Sequence, residues 1–153
     1  MLKLDETDLK ILRVMQSDGS LTVSQIAERV GLSQSPCSRR IAQLQEAGVI
    51  VARSVLLDRR KLGFKVDVVT RIKLKSHDKA TLEAFKKEIR AMREVQTAVL
   101  LLGEFDFHMR LVVRDIDHYQ QLLQERLSVL PGVQEIKSSV ILEVVKNTSA
   151  LPL

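Results

Sequence analysis

Residues 22–48 read TVSQIAERVGLSQSPCSRRIAQLQEAG, and this stretch decides the fold. Thr22 followed by Gln25 is a capping box, in which each side chain satisfies a backbone amide left free at a helix start. Ile26, Ala27 and Val30 fall on one face of the helix that follows. Gly31 stops it where a left-handed residue costs least. Ser33 or Ser35 is expected to cap a second helix, with Pro36 tolerated in its first turn. Cys37, Ile41 and Leu44 then mark a buried stripe at i, i+4 and i+7, and Gly48 ends the run. Two helices that cross steeply need a small residue at the close approach, which is Ala27, and a tight turn, which Gly31 supplies. The spacing is that of a DNA-binding helix-turn-helix.

With the stripe turned inward at about 100° per residue, Ser35, Ser38, Arg39, Ala42, Gln43 and Glu46 point outward, with Gln34 just ahead of them. Such a face suits a major groove: Arg binds guanine bidentately, Gln binds adenine, and Ser and Ala let a helix settle deep. A solvated amphipathic helix is the plainer reading, and against it stands a face with no acid before Glu46. Arg40 lies close to the buried stripe and is expected to be structural, with Asp5 and Asp8 as partners and phosphate contact as the alternative.

The 153 residues suffice for one domain or two small ones, and 45% hydrophobic content is ample for a core. No apolar run approaches the ~20 residues of a membrane span. Met1-Leu2-Lys3-Leu4-Asp5 lacks the basic-then-apolar pattern of a leader, so the expected location is cytoplasmic. Cys37 is the only cysteine, and His77, His108 and His118 are scattered, which gives no intrachain disulfide and no metal-ligand spacing. The charge is more telling. Residues 20–65 carry eight basic side chains against three acidic ones, which is the whole net charge of +5. A basic excess confined to the helix-turn-helix and its flank is the footprint of phosphate binding.

Asp5 caps a preceding helix whose Leu9, Leu12 and Met15 recur on one face, and 17–20 break it. After Gly48, Val49–Val51 and Ser54–Leu57 read as the short hairpin of a wing. Asp58-Arg59-Arg60-Lys61 is a basic turn, and Arg53, Arg59, Arg60 and Lys61 are expected to touch phosphates, with a solvated turn as the competing explanation. From residue 66 the pattern becomes strand (66–74), helix (82–92), strand (95–102), and again strand (107–113), helix (116–127), strand (133–145). Two β-α-β units imply a four-stranded antiparallel sheet with both helices on one face, the ferredoxin-like arrangement. Ala98-Val99-Leu100-Leu101-Leu102 is apolar on both alternations, so a second copy is expected to cover the open face and form a two-fold dimer.

Gly103-Glu104-Phe105-Asp106 and Pro131-Gly132-Val133 are either ordinary turns or a small-ligand pocket in which Asp106 meets an ammonium group and loop amides meet a carboxylate. An enzyme built on Glu104, Asp106 and His108 is the rival class. No nucleophile, metal set or phosphate loop accompanies them, so no catalytic residue is assigned.

The chain resembles the Lrp/AsnC (feast/famine) family of transcription regulators over nearly its full length. The matching residues are Leu4-Asp5-x-x-Asp8-x-x-Ile11-Leu12; Ile26-Ala27-x-x-Val30-Gly31-Leu32-Ser33; Ser35-Pro36-Cys37-x-x-Arg40-Ile41-x-x-Leu44; Gly48-Val49-Ile50; Gly103-x-Phe105-Asp106; and Pro131-Gly132-Val133. The resemblance implies an α+β protein in three parts. A winged helix-turn-helix occupies 1–50, a hinge strand and basic turn 51–65, and a ferredoxin-like effector and oligomerisation domain 66–153. Its partners would be double-stranded DNA, a free amino acid as effector rather than cofactor, and further copies of itself as dimers, tetramers or octamers. The effector would lie between dimers beside Gly103, Glu104, Phe105 and Asp106, with help from Ser138 and Ser139. Two departures from the family pattern are Arg59, where a proline often follows the hinge aspartate, and Phe105, where the aromatic is often Tyr. An architectural DNA-wrapping protein of low sequence specificity is the alternative.

Overall fold

The computed structural model describes residues 3–153; Met1 and Leu2, part of the N-terminal pattern read above, lie outside the described residues. The described residues up to Leu56, with Lys146–Leu153, form one compact unit, and Leu57–Val145 form a second.

The first unit holds three helices, each started and stopped by its own residues. Helix α1 (Glu6–Ser17) opens on a reciprocal box, with the Asp8 amide donating to Asp5 at 2.8 Å and the Asp5 amide to Asp8 at 3.1 Å. Helix α2 (Val23–Val30) starts on the Thr22–Gln25 box and ends on Gly31 at φ 71°, as the spacing requires. Helix α3 (Gln34–Glu46) has Ser33 in N-cap geometry, but neither Ser33 nor Ser35 supplies the expected side-chain cap. Gly48, at φ 70°, turns the chain away. Ile11, Leu12, Leu21, Ile26, Ala27, Cys37, Ile41 and Leu44 form the shared core. Lys146–Leu153 also lie with this unit. The Leu151 amide donates to Gln16 Oε1 at 2.7 Å, and Gln16 Nε2 donates back to the Leu151 carbonyl at 3.3 Å.

The expected wing hairpin does not form: residues 51–58 adopt no regular structure, and Val51, Val55, Leu56 and Leu57 are exposed. β-branched residues favour an extended backbone, but a strand also needs a hydrogen-bonded neighbour, and among the described residues none pairs with this stretch.

The second unit is a four-stranded sheet in the order β2-β3-β1-β4, from β1 (Val66–Leu74), β2 (Val95–Leu100), β3 (Phe107–Val113) and β4 (Val133–Val140). All neighbours are antiparallel, with Val66 opposite Val113 and Thr70 opposite Ser138. Helix α4 (Lys79–Ala91) and helix α5 (Ile116–Leu122), which runs on into a π-helical turn at Leu123–Leu127, bury Phe85, Ile89, Tyr119 and Leu122 against Val68, Ile72, Phe107, Met109 and Leu111. This is the expected βαββαβ arrangement, although β2 and β4 end at Leu100 and Val140 rather than 102 and 145. For β4 the cause is its neighbour: the Ile141 amide still reaches the Asp67 carbonyl, but β1 begins at Val66 and offers nothing beyond.

Alternation along the strands turns Asp67, Arg71, Lys73, His108, Arg110, Glu135 and Lys137 onto the open sheet face together with Val69, Val99 and Val112, so the face mixes charged and apolar residues. The exposed apolar residues concentrate on edge strand β2 and the loop after it, at Val99, Leu100, Leu101 and Leu102.

Candidate nucleic-acid interface and ligand loop

Burial of Cys37, Ile41 and Leu44 fixes the rotation of α3, which leaves Gln34, Ser35, Ser38, Arg39, Ala42, Gln43 and Glu46 exposed together on its outer side. Arg40 is turned away from that side. Its Nη1 donates to Asp5 at 2.7 Å and to Asp8 at 2.8 Å, so one guanidinium clasps both members of the α1 capping box. Hydrogen bonds first to Asp8 and then to Asp5 raise its pKa above the ordinary arginine value.

The basic turn beyond the hinge splits in two. Arg53, Arg60 and Lys61 are exposed. Asp58 Oδ1 accepts the amides of Arg60 at 3.0 Å and Lys61 at 3.2 Å, which fixes the turn. Arg59 is half-buried, and its guanidinium pairs with the buried Asp67, which also receives Arg110 Nη2 at 2.7 Å.

In the ligand loop only Gly103 and Glu104 are exposed; Phe105 and Asp106 are buried. The expectation that Asp106 meets an ammonium group needs correction. Its Oδ2 accepts the Leu74 amide at 2.7 Å, and its Oδ1 lies 2.6 Å from His77 Nε2. The Asp106 amide donates to the Ile72 carbonyl at 3.0 Å, and its carbonyl accepts the Leu101 amide at 2.7 Å. Its carboxylate and amide therefore tie the loop to the end of β1 and the turn beyond it, while its carbonyl closes the loop onto Leu101. Burial alone would raise its pKa, but the Leu74 amide and His77 outweigh it and hold the carboxyl below its ordinary value. The acid–base pair with His108 does not form, since His77 takes that place. Phe105 lies under two cations, Arg71 Cζ and Lys137 Nζ, each 5.0 Å from the ring centroid.

Ser138 and Ser139 are not brought to one surface, because successive strand residues point to opposite faces. Ser138 faces the helices, where its hydroxyl lies 3.1 Å from Thr70 Oγ1 and bonds Tyr119. It also edges a pocket of about 470 Å³ with Leu123, Ser128, Val133, Gln134 and Ile136. Ser139 pairs with Val69 on the open face. Among the described residues no three His, Cys, Asp or Glu side chains gather as a metal site, and no helix is long and apolar enough to cross a membrane.

Three contributors to the loop escape sequence reading: His77, Arg71 and Lys137. Alternation along β1 would have placed Arg71 outward, but its meeting with Phe105 depends on how the loop folds back. His77 precedes a helix cap and carries no spacing signal at all.

Two family models divide the chain where its two patterns meet. A winged helix-turn-helix DNA-binding model matches residues 4–51, and the Lrp/AsnC ligand binding domain matches residues 67–151. Among the relatives is the leucine-responsive regulatory protein of Haemophilus influenzae, 35% identical over 98% of this chain and 90% of that protein. Another is a proline dehydrogenase transcriptional activator of Rhizobium radiobacter, 34% identical over 95% and 93%. A transcriptional regulator of Neisseria meningitidis, solved as an L-Met complex, superposes with TM-score 0.94 at 34% identity, covering 98% of this chain and 97% of that one. An AsnC family regulator from Agrobacterium tumefaciens gives 0.92 at 36%, covering 97% of each. A helix-turn-helix of this geometry, joined to this sheet domain and matched along its length by regulators rather than enzymes, makes the chain a DNA-binding transcriptional regulator of the Lrp/AsnC family.

Proposed function

We propose that the protein is a cytoplasmic, sequence-specific regulator of amino-acid metabolism or transport genes whose DNA binding responds to a free amino acid. The exposed, acid-poor face of α3 carries the reading: Gln34, Ser35, Ser38, Arg39 and Gln43 approach the bases, while Arg53, Arg60 and Lys61 lie at phosphates. The effector meets the exposed backbone of Gly103 and Glu104. Asp106 and His77 act on it indirectly, by holding the loop, and Ser139 lies on the face shared with Phe105's cations. The L-Met bound by the Neisseria relative favours an apolar or sulfur-containing amino acid. Copies assemble as dimers and larger rings, with the effector between dimers.

The test is fluorescence anisotropy with DNA from upstream of the protein's own gene against a shuffled control at physiological salt, repeated with each of the twenty amino acids. Specific regulation gives a preference of about 10³ or more, shifted by one or a few amino acids. Equal affinity for both DNAs with no amino-acid response would leave an architectural DNA-wrapping protein instead.

A further inference from the structure

The turn after the hinge and the segment leaving β4 enclose a second concavity of about 300 Å³, lined in part by Arg59, Arg60, Lys65, Asp67, Leu142 and Glu143. That volume is at the lower end of small-ligand sites, roughly 300–1,000 Å³. Its deepest charged group is Asp67, whose side chain is 2% exposed and is shared by Arg59 and Arg110. A cation withdrawn from water needs counter-charge, and one carboxylate divided between two guanidinium groups leaves one positive charge unmatched. Arg60 and Lys65 add two more and Glu143 removes one, so the three lining cations, with Arg110 behind Asp67, outnumber the two carboxylates by two. Arg110 Nε is buried and finds no acceptor among the described residues. Burial, and then the charges of Arg110 and Arg60, push the pKa of Arg59 below the ordinary arginine value, as expected where a cation is under-compensated. The walls are set in advance: Asp58 caps the turn, the Phe64 amide closes it onto the Arg59 carbonyl at 2.9 Å, and the Ile141 amide bonds the Asp67 carbonyl at 2.9 Å.

We propose that this pocket binds a phosphate group, held by the fixed fork of Arg59 and the exposed arms of Arg60 and Lys65. A phosphate dianion matches the excess of two positive charges, and its oxygens suit the bidentate guanidinium fork. The phosphate belongs to a free phosphorylated small molecule, a ligand separate from both the DNA contacts and the amino acid of the ligand loop.

The experiment is calorimetric titration of the full-length protein with inorganic pyrophosphate at constant ionic strength, using wild type, Arg60→Ala/Lys65→Ala and Glu143→Gln. All three positions are exposed, so the variants keep the fold. Saturable binding that weakens tenfold or more in the double variant and tightens several-fold in Glu143→Gln establishes a site for a free phosphate. If pyrophosphate does not bind, but the double variant loses affinity for any DNA and its log–log salt slope shrinks by about 2, these side chains serve only the DNA contacts proposed above and the pocket is overturned. Equal pyrophosphate binding by wild type and double variant overturns the pocket. So does a double variant that changes neither pyrophosphate binding nor the salt slope.

Discussion

Arg39 and Arg40 are chain neighbours with opposite surroundings, one free on the outer side of α3 and the other clasped to Asp5 and Asp8. Arg39→Ala should lower affinity for the native operator by about 1–3 kcal/mol, roughly tenfold or more, while the thermal midpoint and oligomers stay unchanged. Arg40→Ala should instead lower the midpoint, since nearly buried Asp8 loses its cation; anisotropy and calorimetry on both variants separate the roles. The sign of the pH response follows from Asp78 and Asp106. Hydrogen bonds from the Thr81 hydroxyl and then its amide depress Asp78 from 3.8 to about 2, and Asp106 is also lowered in the fold. A depressed carboxyl contributes stability that is present above its unfolded pKa, near 4, and is lost as pH falls through its folded value. Acid unfolding should therefore fall between about pH 4 and 2, and Asp106→Asn should flatten that limb while lowering stability at neutral pH. Arg40's partners were legible because the helical wheel places it beside the stripe. Asp106's were not: the same carboxylate three residues after Gly103 suits a ligand or a loop anchor, and only the fold brings Leu74 and His77 to it.

At the scale of elements, what could be read depended on whether a residue's consequence is local. Caps and periodicity are local, so Thr22–Gln25, Gly31 and the stripe of α3 were readable to the residue. Strand ends depend on a neighbour far along the chain, and so the wing hairpin was over-read and β2 and β4 ran too long. The π turn at Leu123–Leu127 was hidden because the apolar spacing Tyr119, Leu123 and Leu127 looks like an uninterrupted helix. Gly132 joins both kinds of information. It lies at φ 73° before β4, and a Cβ there would run into Thr81 Cγ2 on the first turn of α4. Thr81 cannot move away freely, since its hydroxyl donates to Asp78 at 2.6 Å. Gly132→Ala should destabilise the second unit by about 1–3 kcal/mol, measured by urea unfolding. Adding Thr81→Ser removes the methyl and should recover the steric part only, leaving the backbone cost.

For the whole molecule, the distribution of exposed surface argues for self-association through the open sheet face at its apolar β2 end. Val99 stands on that face opposite His108, Val69 and Val112 lie further along it, and the loop after β2 continues the apolar surface at Leu101 and Leu102. An apolar surface left uncovered invites pairing, and a second copy is the partner always present at matching concentration. Placing lysine at Val99 and Leu101 sets like charges against each other across a two-fold contact. Light scattering should then show the wild-type mass reduced to that of one chain, with the sheet still folded by circular dichroism. The same variant tests why association matters for DNA. Two linked helix-turn-helix units read half-sites whose centres lie about 10–10.5 base pairs apart, or a multiple of this. Inserting five base pairs between half-sites should weaken wild-type binding tenfold or more, because the second helix then faces the wrong side of the duplex. The Val99→Lys/Leu101→Lys protein should bind both DNAs weakly and alike. A wild-type protein indifferent to the insertion would mean that the two reading helices are not held in register, and the sheet-face contact would then have no role in recognition.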